Sequence, residues 1–397
     1  MIEAAGTRAR GLRSHRTEAV EVASAIRRLD WLLVGAVVAL VAFGLWAIHG
    51  ITAHDITGNP GYFFVRQGVY AAVGVAGALA LLFVDPQLYR RHMWALYIGT
   101  TGVMLLVLLM GTVSRASKRW LDIGFFRFQP SEFGKLLFVL FLAAFLADRA
   151  KRIGETRTVL EAIGLASVPI LLVFVQPDIG TALVYIAALA AVLFVAGVRW
   201  THLAVLGAAT LMMVLAVLWL LPASGVHVLK GYQAKRLTGF THPDSDPAGA
   251  TYNVAQARNA VGAGGVRGRG VAGATQTKLN FLPEHATDFA FASLAEQRGF
   301  VGVSVLLLLY LLVVWRGLKV IAIARDPFSA IAAGGIVFAF LFQVFVNVGM
   351  NIGVAPVTGI PLPFVSVGGS ALIANLLAIG VLQAIHIRGA ARPKAYR

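Results

Sequence analysis

The 397-residue sequence contains no cysteine, which excludes disulfide bonds and thiolate metal sites. Charged residues are scarce too, at 13% of the chain, whereas hydrophobic residues make up 58% and the mean hydropathy is +0.78. An average soluble domain has about 25% charged residues. The composition therefore excludes a soluble protein of this length and indicates a membrane protein.

The apolar residues form ten long runs, each close to the roughly 20 residues that a helix needs to cross a bilayer. The runs lie at 31–50, 63–84, 93–112, 130–147, 159–176, 180–197, 203–222, 291–315, 329–349 and 369–387. They predict an all-α polytopic membrane protein with about ten transmembrane helices. We expect a single membrane domain at 31–388, between a basic tail at 1–30 and a second basic tail at 389–397.

Acidic residues number only 18 against 34 Lys and Arg, a formal net charge of +16. If the N-terminus is cytoplasmic, the intervals on that side hold twenty of these cations and the outer intervals hold eleven. This bias follows the positive-inside rule and predicts that both termini are cytoplasmic. Most of the charge therefore indicates topology and contact with membrane lipids, not nucleic acid. The outer cations form either a solvated surface or a binding surface for an anionic substrate.

The longest polar interval, 223–290, is the predicted large extracellular loop before helix 8. Its glycine-rich stretch at 262–270, which bears two arginines, can present backbone N–H groups and positive charge to phosphate. The interval ends with Glu284 and Asp288, which are four residues apart. If this stretch opens a helix, both carboxylates lie on one face at the outer mouth of a membrane helix. We predict that Asp288 is the reactive residue.

Several other polar residues stand at the ends of apolar runs. Arg66, one turn inside helix 2, either extends to the interface or points inward toward an anion. Glu132 and Lys135 are spaced to pair at i,i+3 beyond Ser131, a candidate helix cap; the pair is either structural or part of a site. Asp178 follows a proline and is predicted to cap helix 6.

The last outer interval, 356–370, is rich in Pro and Gly. At membrane depth such a segment has unpaired backbone groups, which are tolerated only where protein or a water-filled cavity covers them. This predicts a re-entrant segment before helix 10 that lines a cavity, with Asn347 and Asn351 nearby.

Taken together, these residues resemble the SEDS family (shape, elongation, division and sporulation) over about 31–388. The stretches that carry the resemblance, in chain order, are Lys118-Arg119-Trp120, Gln129-Pro130-Ser131-Glu132, Gln176-Pro177-Asp178-Ile179-Gly180-Thr181, Tyr252-Asn253, Thr275-Gln276-Thr277, Phe281-Leu282-Pro283-Glu284, Thr287-Asp288-Phe289 and the Pro/Gly interval through Ser370. The Pro356–Pro363 part of that interval is similar to the elongation branch, RodA, more than to the division branch, FtsW.

The resemblance implies a peptidoglycan glycosyltransferase of the bacterial cytoplasmic membrane that polymerises lipid II on the outer face. It also implies a class B penicillin-binding protein as partner and Asp288 as the essential aspartate. The positions that match the family's cavity are Arg66, Arg119, Trp120, Glu132 and Lys135. Lys118, Glu284 and Arg236 complete the predicted substrate-binding set.

The chain departs from the family pattern at several positions. Ala286 stands where the family usually has His, and His285 lies one residue earlier. Ala290 replaces a larger apolar residue, Gln297-Arg298 replaces an acidic-apolar pair, and Val367 replaces a common Tyr. These departures leave the aspartate in place but put any role for histidine in question.

The chemistry that we expect is inverting transfer, in which a sugar hydroxyl attacks C1 of a sugar linked to a lipid pyrophosphate. Asp288 is the expected general base, and Arg66, Arg119 and Lys135 are expected to stabilise the leaving pyrophosphate. A divalent cation, Mg²⁺ or Mn²⁺, is left open. The alternative functions are a lipid II flippase or other transporter and, third, a scaffold for the crosslinking enzyme. Transport is disfavoured because several predicted helices have almost no polar residues and the informative residues cluster on the outer side.

Overall fold

The computed structural model describes residues 26–110, 112–114, 117–124, 126–225 and 250–391. Most of the predicted N-terminal tail, most of the C-terminal tail and Arg236 lie outside these ranges, as does the side chain of Lys118.

Helices dominate the described chain. The first half contains α1 (Trp31–Ile51), α2 (Tyr62–Leu82), α3 (Pro86–Arg91), α4 (Met93–Met110), β1 (Thr112–Ser114), β2 (Ser117–Ile123), β3 (Phe126–Phe128), α5 (Pro130–Asp148), a 3₁₀ turn (Ala150–Arg152), α6 (Thr156–Val175) and α7 (Ile179–Val195). The second half contains α8 (Trp200–Leu215), a π-helical turn (Ala216–Leu220), α9 (Leu221–Ala223), α10 (Ala250–Gly264), α11 (Gly270–Gly273), α12 (Thr275–Lys278), α13 (Ala290–Ile323), α14 (Pro327–Ile352) and α15 (Gly369–Ala390).

Nine of the ten apolar runs each coincide with one helix, and the run at 203–222 covers α8, the π-helical turn and part of α9. In the described part of the chain, eight helices are long and apolar enough to cross a membrane, namely α1, α2, α4, α5, α6, α13, α14 and α15. The other two, α7 and α8, are apolar but shorter, at 17 and 16 residues. The all-α polytopic fold class is therefore confirmed, while the exact number of spans stays a prediction.

Helix starts follow local sequence signals. The Asp30 side chain accepts from the Leu33 N–H at 3.1 Å and caps α1, and Asp326 caps α14 in the same way ahead of Pro327. An aspartate at this position satisfies an N–H group that the helix itself leaves unbonded, and a proline suits the first helical position. Asp178 caps α7 by accepting from the Thr181 N–H, as predicted. Ser131, by contrast, lies inside α5, whose N-cap position is Gln129, so the predicted Ser131 cap is wrong.

The central helix is α5. Its residues 138–147 are all buried, because α4, α7, α14 and α15 pack around it. A helix that is apolar on all sides is suited to this position. Helices α2 and α15 pack closely where Gly380 faces Ala78; a Cβ at Gly380 would lie 2.8 Å from the Ala78 backbone.

Residues 112–128 form a small antiparallel sheet with strand order β1-β2-β3. Leu121 pairs with Phe128, and Val113 pairs with Lys118. The sequence analysis predicted no strand in this stretch. The sheet was missed because cations and aromatic residues interrupt any apolar alternation along it.

The glycine-rich stretch packs against a kink in α13. Gly299 has φ +65°, which divides α13 into a buried outer part and a longer inner part. The stretch reaches the kink through backbone bonds, since the Phe300 N–H donates to Gly265 and the Arg269 N–H donates to Glu296. The N–H of Gly268 is likewise bonded, to the carbonyl of Gly264. These glycines permit close backbone approach, and the bonded N–H groups of Gly268 and Arg269 are not available to a phosphate. Phosphate binding by the rest of the stretch stays a prediction.

We expect Gly299→Ala to destabilise the protein by about 2 kcal/mol or more, because it combines a strained positive φ with a steric clash. A Cβ there would lie 2.3 Å from the Gly268 nitrogen. Gly262→Ala is the matched control, since a Cβ at Gly262 has no neighbour within 4 Å. Thermal unfolding in detergent should show a lower midpoint for the Gly299 variant only. Equal midpoints for both variants would contradict the role of the kink.

The Pro/Gly segment between α14 and α15 contains no helix, yet residues 357, 358, 360 and 362–366 are buried. Its backbone is bonded to surrounding protein: the Asn347 side chain donates to the carbonyl of Ile360 at 2.8 Å. Tyr310 donates its hydroxyl hydrogen to the carbonyl of Pro363. Protein therefore covers this irregular segment, and the predicted cavity along it stays a prediction.

Candidate active site

Asp288 lies in a turn just before α13, not on a helix. Residues 283–289 form turns, Glu284 has φ +55°, and the helix begins at Ala290. The prediction that Glu284 and Asp288 share one helix face is therefore wrong. The Glu284 carboxylate instead bends back and accepts from the Thr287 hydroxyl at 2.9 Å. Left-handed backbone at a residue other than glycine costs roughly 1–3 kcal/mol and often occurs at functional sites.

The backbone of this turn is held at every residue from 284 to 288. The Glu284 carbonyl accepts from the N–H groups of Thr287 and Phe289, both at 3.1 Å. The His285 carbonyl accepts from the Ser293 hydroxyl on α13 at 3.0 Å. Such contacts determine where the half-buried Asp288 side chain lies.

Two further carbonyls of the turn are bonded to the Pro/Gly segment. The Ala286 carbonyl accepts from the Val367 N–H at 2.9 Å, and the Thr287 carbonyl accepts from the Ser366 hydroxyl. The turn and the Pro/Gly segment therefore form one hydrogen-bonded layer.

The Asp288 carbonyl is held by α14. Asn347 and Asn351, one turn apart, donate from their side-chain amides at 3.0 and 3.3 Å. Both asparagines are fully buried. A buried amide needs hydrogen-bond partners. Here the two asparagine amides bind the backbone carbonyl of the candidate base, and these two bonds do not involve its carboxylate.

Arg66 lies beside this layer on α2. Its guanidinium donates to the hydroxyl groups of Tyr62 at 2.7 Å and Tyr70 at 2.9 Å, and its side chain is half-buried. The next residue, Gln67, donates to the Ser366 carbonyl at 3.1 Å and accepts from the Gly368 N–H. The structure thus places Arg66 next to the segment that contacts the Asp288 turn.

Glu132 and Lys135 form the predicted pair near the start of α5. Their side-chain atoms lie 2.7 Å apart, as an ion pair rather than a well-directed hydrogen bond, with exposures of only 3% and 10%. Lys135 also donates to Gln343 on α14 at 2.8 Å. Gln343 lies one turn before Asn347 on α14. The residue that binds Lys135 and the residue that binds the Asp288 carbonyl therefore lie on the same face of this helix.

A cavity of about 40 Å³ extends from this pair into the helix bundle. Its polar lining consists of Glu132, Lys135, Gln343 and Asn375, and the rest is apolar. The space suits a few water molecules beside the ion pair.

Arg119 on β2 is held by the loop before α7. Its Nη1 lies 3.4 Å from the carboxylate of Asp178, which is buried and also accepts from Gln129. The Arg119 Nε is buried and has no hydrogen-bond partner within the described ranges. Arg119 therefore has one donor that no described residue uses. Asp178 has a second role beyond its predicted cap, which is to anchor this arginine.

The remaining predicted residues are more peripheral. Trp120 follows Arg119 in β2 and is half-buried. Glu284 is half-buried and bonded to Thr287. The backbone of Lys118 pairs with Val113 in the sheet.

The sequence analysis missed Glu296, a carboxylate with no exposed surface on the first turns of α13. It accepts from the Gln276 and Thr277 N–H groups at 2.8 and 2.9 Å and from the Thr277 hydroxyl at 2.7 Å. These bonds hold α12 against α13. The signal for it in the sequence was an acidic residue within an otherwise apolar predicted helix.

The segments that carry Asp288, Arg66, Arg119 and Lys135 are joined through one irregular buried backbone segment. The Pro/Gly segment links them: it contacts the Asp288 turn, it follows the asparagines of α14, and its end at Ser370 accepts from the Gln129 N–H at 3.0 Å. A carboxylate and cations on segments linked in this way suit a reaction in which a hydroxyl loses a proton while an anionic group leaves.

Comparison with known proteins identifies the family. A family model that covers FtsW, RodA and SpoVE, described as "cell cycle protein", matches residues 27–390. The peptidoglycan glycosyltransferase MrdB of Escherichia coli K12 is 36% identical over 360 residues, which is 90% of this chain and 93% of MrdB. Stage V sporulation protein E of Bacillus subtilis 168 is 36% identical over 359 residues, 89% of this chain and 95% of that protein.

Solved structures show the same fold. One chain comes from a peptidoglycan synthase complex that coordinates polymerization and crosslinking; the TM-score is 0.78 at 31% identity, over 92% of this chain and 99% of that one. The rod shape determining protein RodA of Thermus thermophilus gives a TM-score of 0.67 at 28% identity, over 92% and 98%.

Proposed function

The chain belongs to the SEDS family of peptidoglycan glycosyltransferases, and we propose that it polymerises lipid II with Asp288 as the general base. The observation that supports this role is the turn at 284–288, whose carbonyls are all bonded while the Asp288 carboxylate is left half-buried. A catalytic group needs such a held backbone, since small displacements are costly in rate.

In this proposal, the 4-hydroxyl of an acceptor sugar transfers its proton to the Asp288 carboxylate as its oxygen attacks C1 of the donor sugar. The C1–O bond to the lipid pyrophosphate breaks, and the pyrophosphate leaves with the bonding electron pair. One displacement inverts C1 and needs no covalent enzyme intermediate. A positioned base contributes ~10²–10⁴-fold in rate.

The leaving pyrophosphate needs positive charge, and three cations around the turn supply it in this proposal. Arg119 has a donor that no described residue uses, Arg66 is oriented by two tyrosines, and Lys135 is buried beside Glu132. Cations fixed before the reaction stabilise developing charge without reorganising. Lys118, Trp120, Glu284 and Arg236 stay in the proposed substrate-binding set.

Binding of Mg²⁺ or Mn²⁺ remains a proposal, and no site for it is identified among the described residues. Among the described residues, no three His, Asp or Glu side chains converge in a way that could hold a metal ion.

The solved relative belongs to a complex that joins polymerization to crosslinking. We therefore extend the proposal to a class B penicillin-binding protein as partner.

In this proposal the site lies on the outer face of the bacterial cytoplasmic membrane. The positive-inside bias assigns one end of α1 and one end of α15 to the cytoplasm, and the site is at the opposite ends. The likeness to MrdB and RodA supports a role in cell elongation.

The test is polymerisation of labelled lipid II by the purified chain, alone and with its partner transpeptidase, resolved by glycan length. We expect long glycan chains whose formation needs no added polymerase. The same preparation in vesicles should not move lipid II between leaflets. Transfer between leaflets without any glycan product would overturn the proposal in favour of transport.

A further inference from the structure

Three side-chain contacts join the outer end of α1 and the loop after it to α13 and the Asp288 turn. We call them the outer clamp, and they are Gln297 Nε2 to the Gly50 carbonyl at 3.1 Å, the Arg298 guanidinium 3.9 Å from the Trp46 ring centroid, and His285 Nε2 to Asp55 Oδ1 at 2.9 Å. Gly50 permits this approach, since a Cβ there would lie 2.8 Å from Gln297 Oε1.

The outer clamp uses three of the residues at which this chain departs from the family pattern. His285 replaces a histidine expected one position later, and Gln297-Arg298 replaces an acidic-apolar pair. All three departures contact the outer end of α1 or its loop.

The His285–Asp55 contact is the part of the clamp nearest to Asp288. An ionised carboxylate only accepts hydrogen bonds, so His285 Nε2 must carry the hydrogen. The two side chains are only 12% and 18% exposed. Limited contact with water strengthens such a charge-assisted bond relative to an exposed pair.

This pair completes the support of the Asp288 turn. The backbone carbonyls of the turn are bonded to α13, α14 and the Pro/Gly segment. The side chain of His285 adds a fourth support, from the loop between α1 and α2, three residues before Asp288. The turn is thus also held by a loop that makes none of these backbone bonds.

We propose that His285, held by Asp55, is a positioning residue that fixes the Asp288 turn in its reactive geometry; this inference rests on the proposed role of Asp288 as base. His285 itself takes no proton from the substrate. A displacement of about 1 Å at a reacting group can cost ~10²-fold in rate, so loss of the pair affects turnover more than binding.

The test compares His285→Ala, Asp55→Ala and the double variant in lipid II polymerisation. We expect kcat to fall about 10–100-fold in each single variant, with KM for lipid II changed less than about threefold. The double variant should be no slower than the slower single variant, because both changes remove the same contact. His285→Gln, whose amide can donate from a similar position, should recover most of the activity.

Two matched variants distinguish the loss of positioning from a general loss of stability. His54→Ala removes an exposed histidine next to Asp55, and Arg298→Ala removes a clamp contact far from the turn. Both should keep kcat near the wild-type value. Thermal unfolding of every variant identifies any that fails to fold, and in that case Asp55→Ala with His285→Gln decides the question.

Additive losses in the double variant, no recovery with Gln, or an equal loss in Arg298→Ala would each overturn the proposed positioning role. The outcome is separable from the proposed function. If Asp288→Asn is inactive while His285→Ala has full activity, only the positioning role fails. If Asp288→Asn is fully active, the base assignment fails whatever His285 does.

Discussion

Replacing Asp288 with asparagine should lower the rate of lipid II polymerisation by at least ~10²-fold, the loss expected when a general base is removed. The variant should still fold, because Asn347 and Asn351 bond to the backbone carbonyl of residue 288 and not to its carboxylate. An amide of nearly the same size keeps this backbone in place but cannot accept a proton at neutral pH.

The measurement is single-turnover and steady-state polymerisation of labelled lipid II, with thermal unfolding of the same preparations. Asp122→Asn is the matched control, since Asp122 is a more exposed carboxylate on β2 whose partner is Arg127. It should polymerise as the wild type does. Full activity of Asp288→Asn would exclude the residue as base and make Glu284, in the same turn, the next candidate.

The second large effect is expected at Lys135. Lys135→Met removes the cation beside a Glu132 side chain that is only 3% exposed. Breaking a buried ion pair from one side costs about 3–5 kcal/mol, because the remaining charge has no partner. We therefore expect a marked drop in the unfolding midpoint and loss of polymerisation.

The double variant Glu132→Gln with Lys135→Met distinguishes a structural pair from a functional one. Removing both charges restores most of the stability, since a buried pair can often be replaced at little cost. If Lys135 stabilises the leaving pyrophosphate, the double variant folds well but stays inactive. Recovery of both stability and activity would show that the pair is structural only. Lys151→Met, at an exposed lysine, controls for the loss of one positive charge.

Much of the fold could be predicted from the sequence because apolar runs of bilayer length have few alternatives to a helix. The i,i+3 spacing of Glu132 and Lys135 likewise required only that α5 be helical, and the pair is present. The Asp178 cap depended on its immediate neighbours and was predicted correctly.

Predictions failed where distant segments decide the local backbone. The Asp288 turn is not helical because residues from α13, α14 and the Pro/Gly segment bond to its successive carbonyls. The glycine-rich stretch suggested a phosphate loop, but its Gly268 N–H is bonded within the stretch and its Arg269 N–H is bonded to Glu296 of α13. Both interpretations considered the segment alone and omitted the surface that it meets.

The sequence by itself determined the membrane class, the positions of the helices and the identity of the candidate base, because hydropathy and short-range spacing act through adjacent residues. Only the tertiary structure decided that Asp178 anchors Arg119, that Glu296 holds α12, and that His285 reaches Asp55 across 230 positions of the chain. These contacts join segments far apart in sequence, and their pairing depends on how the helices pack around α5.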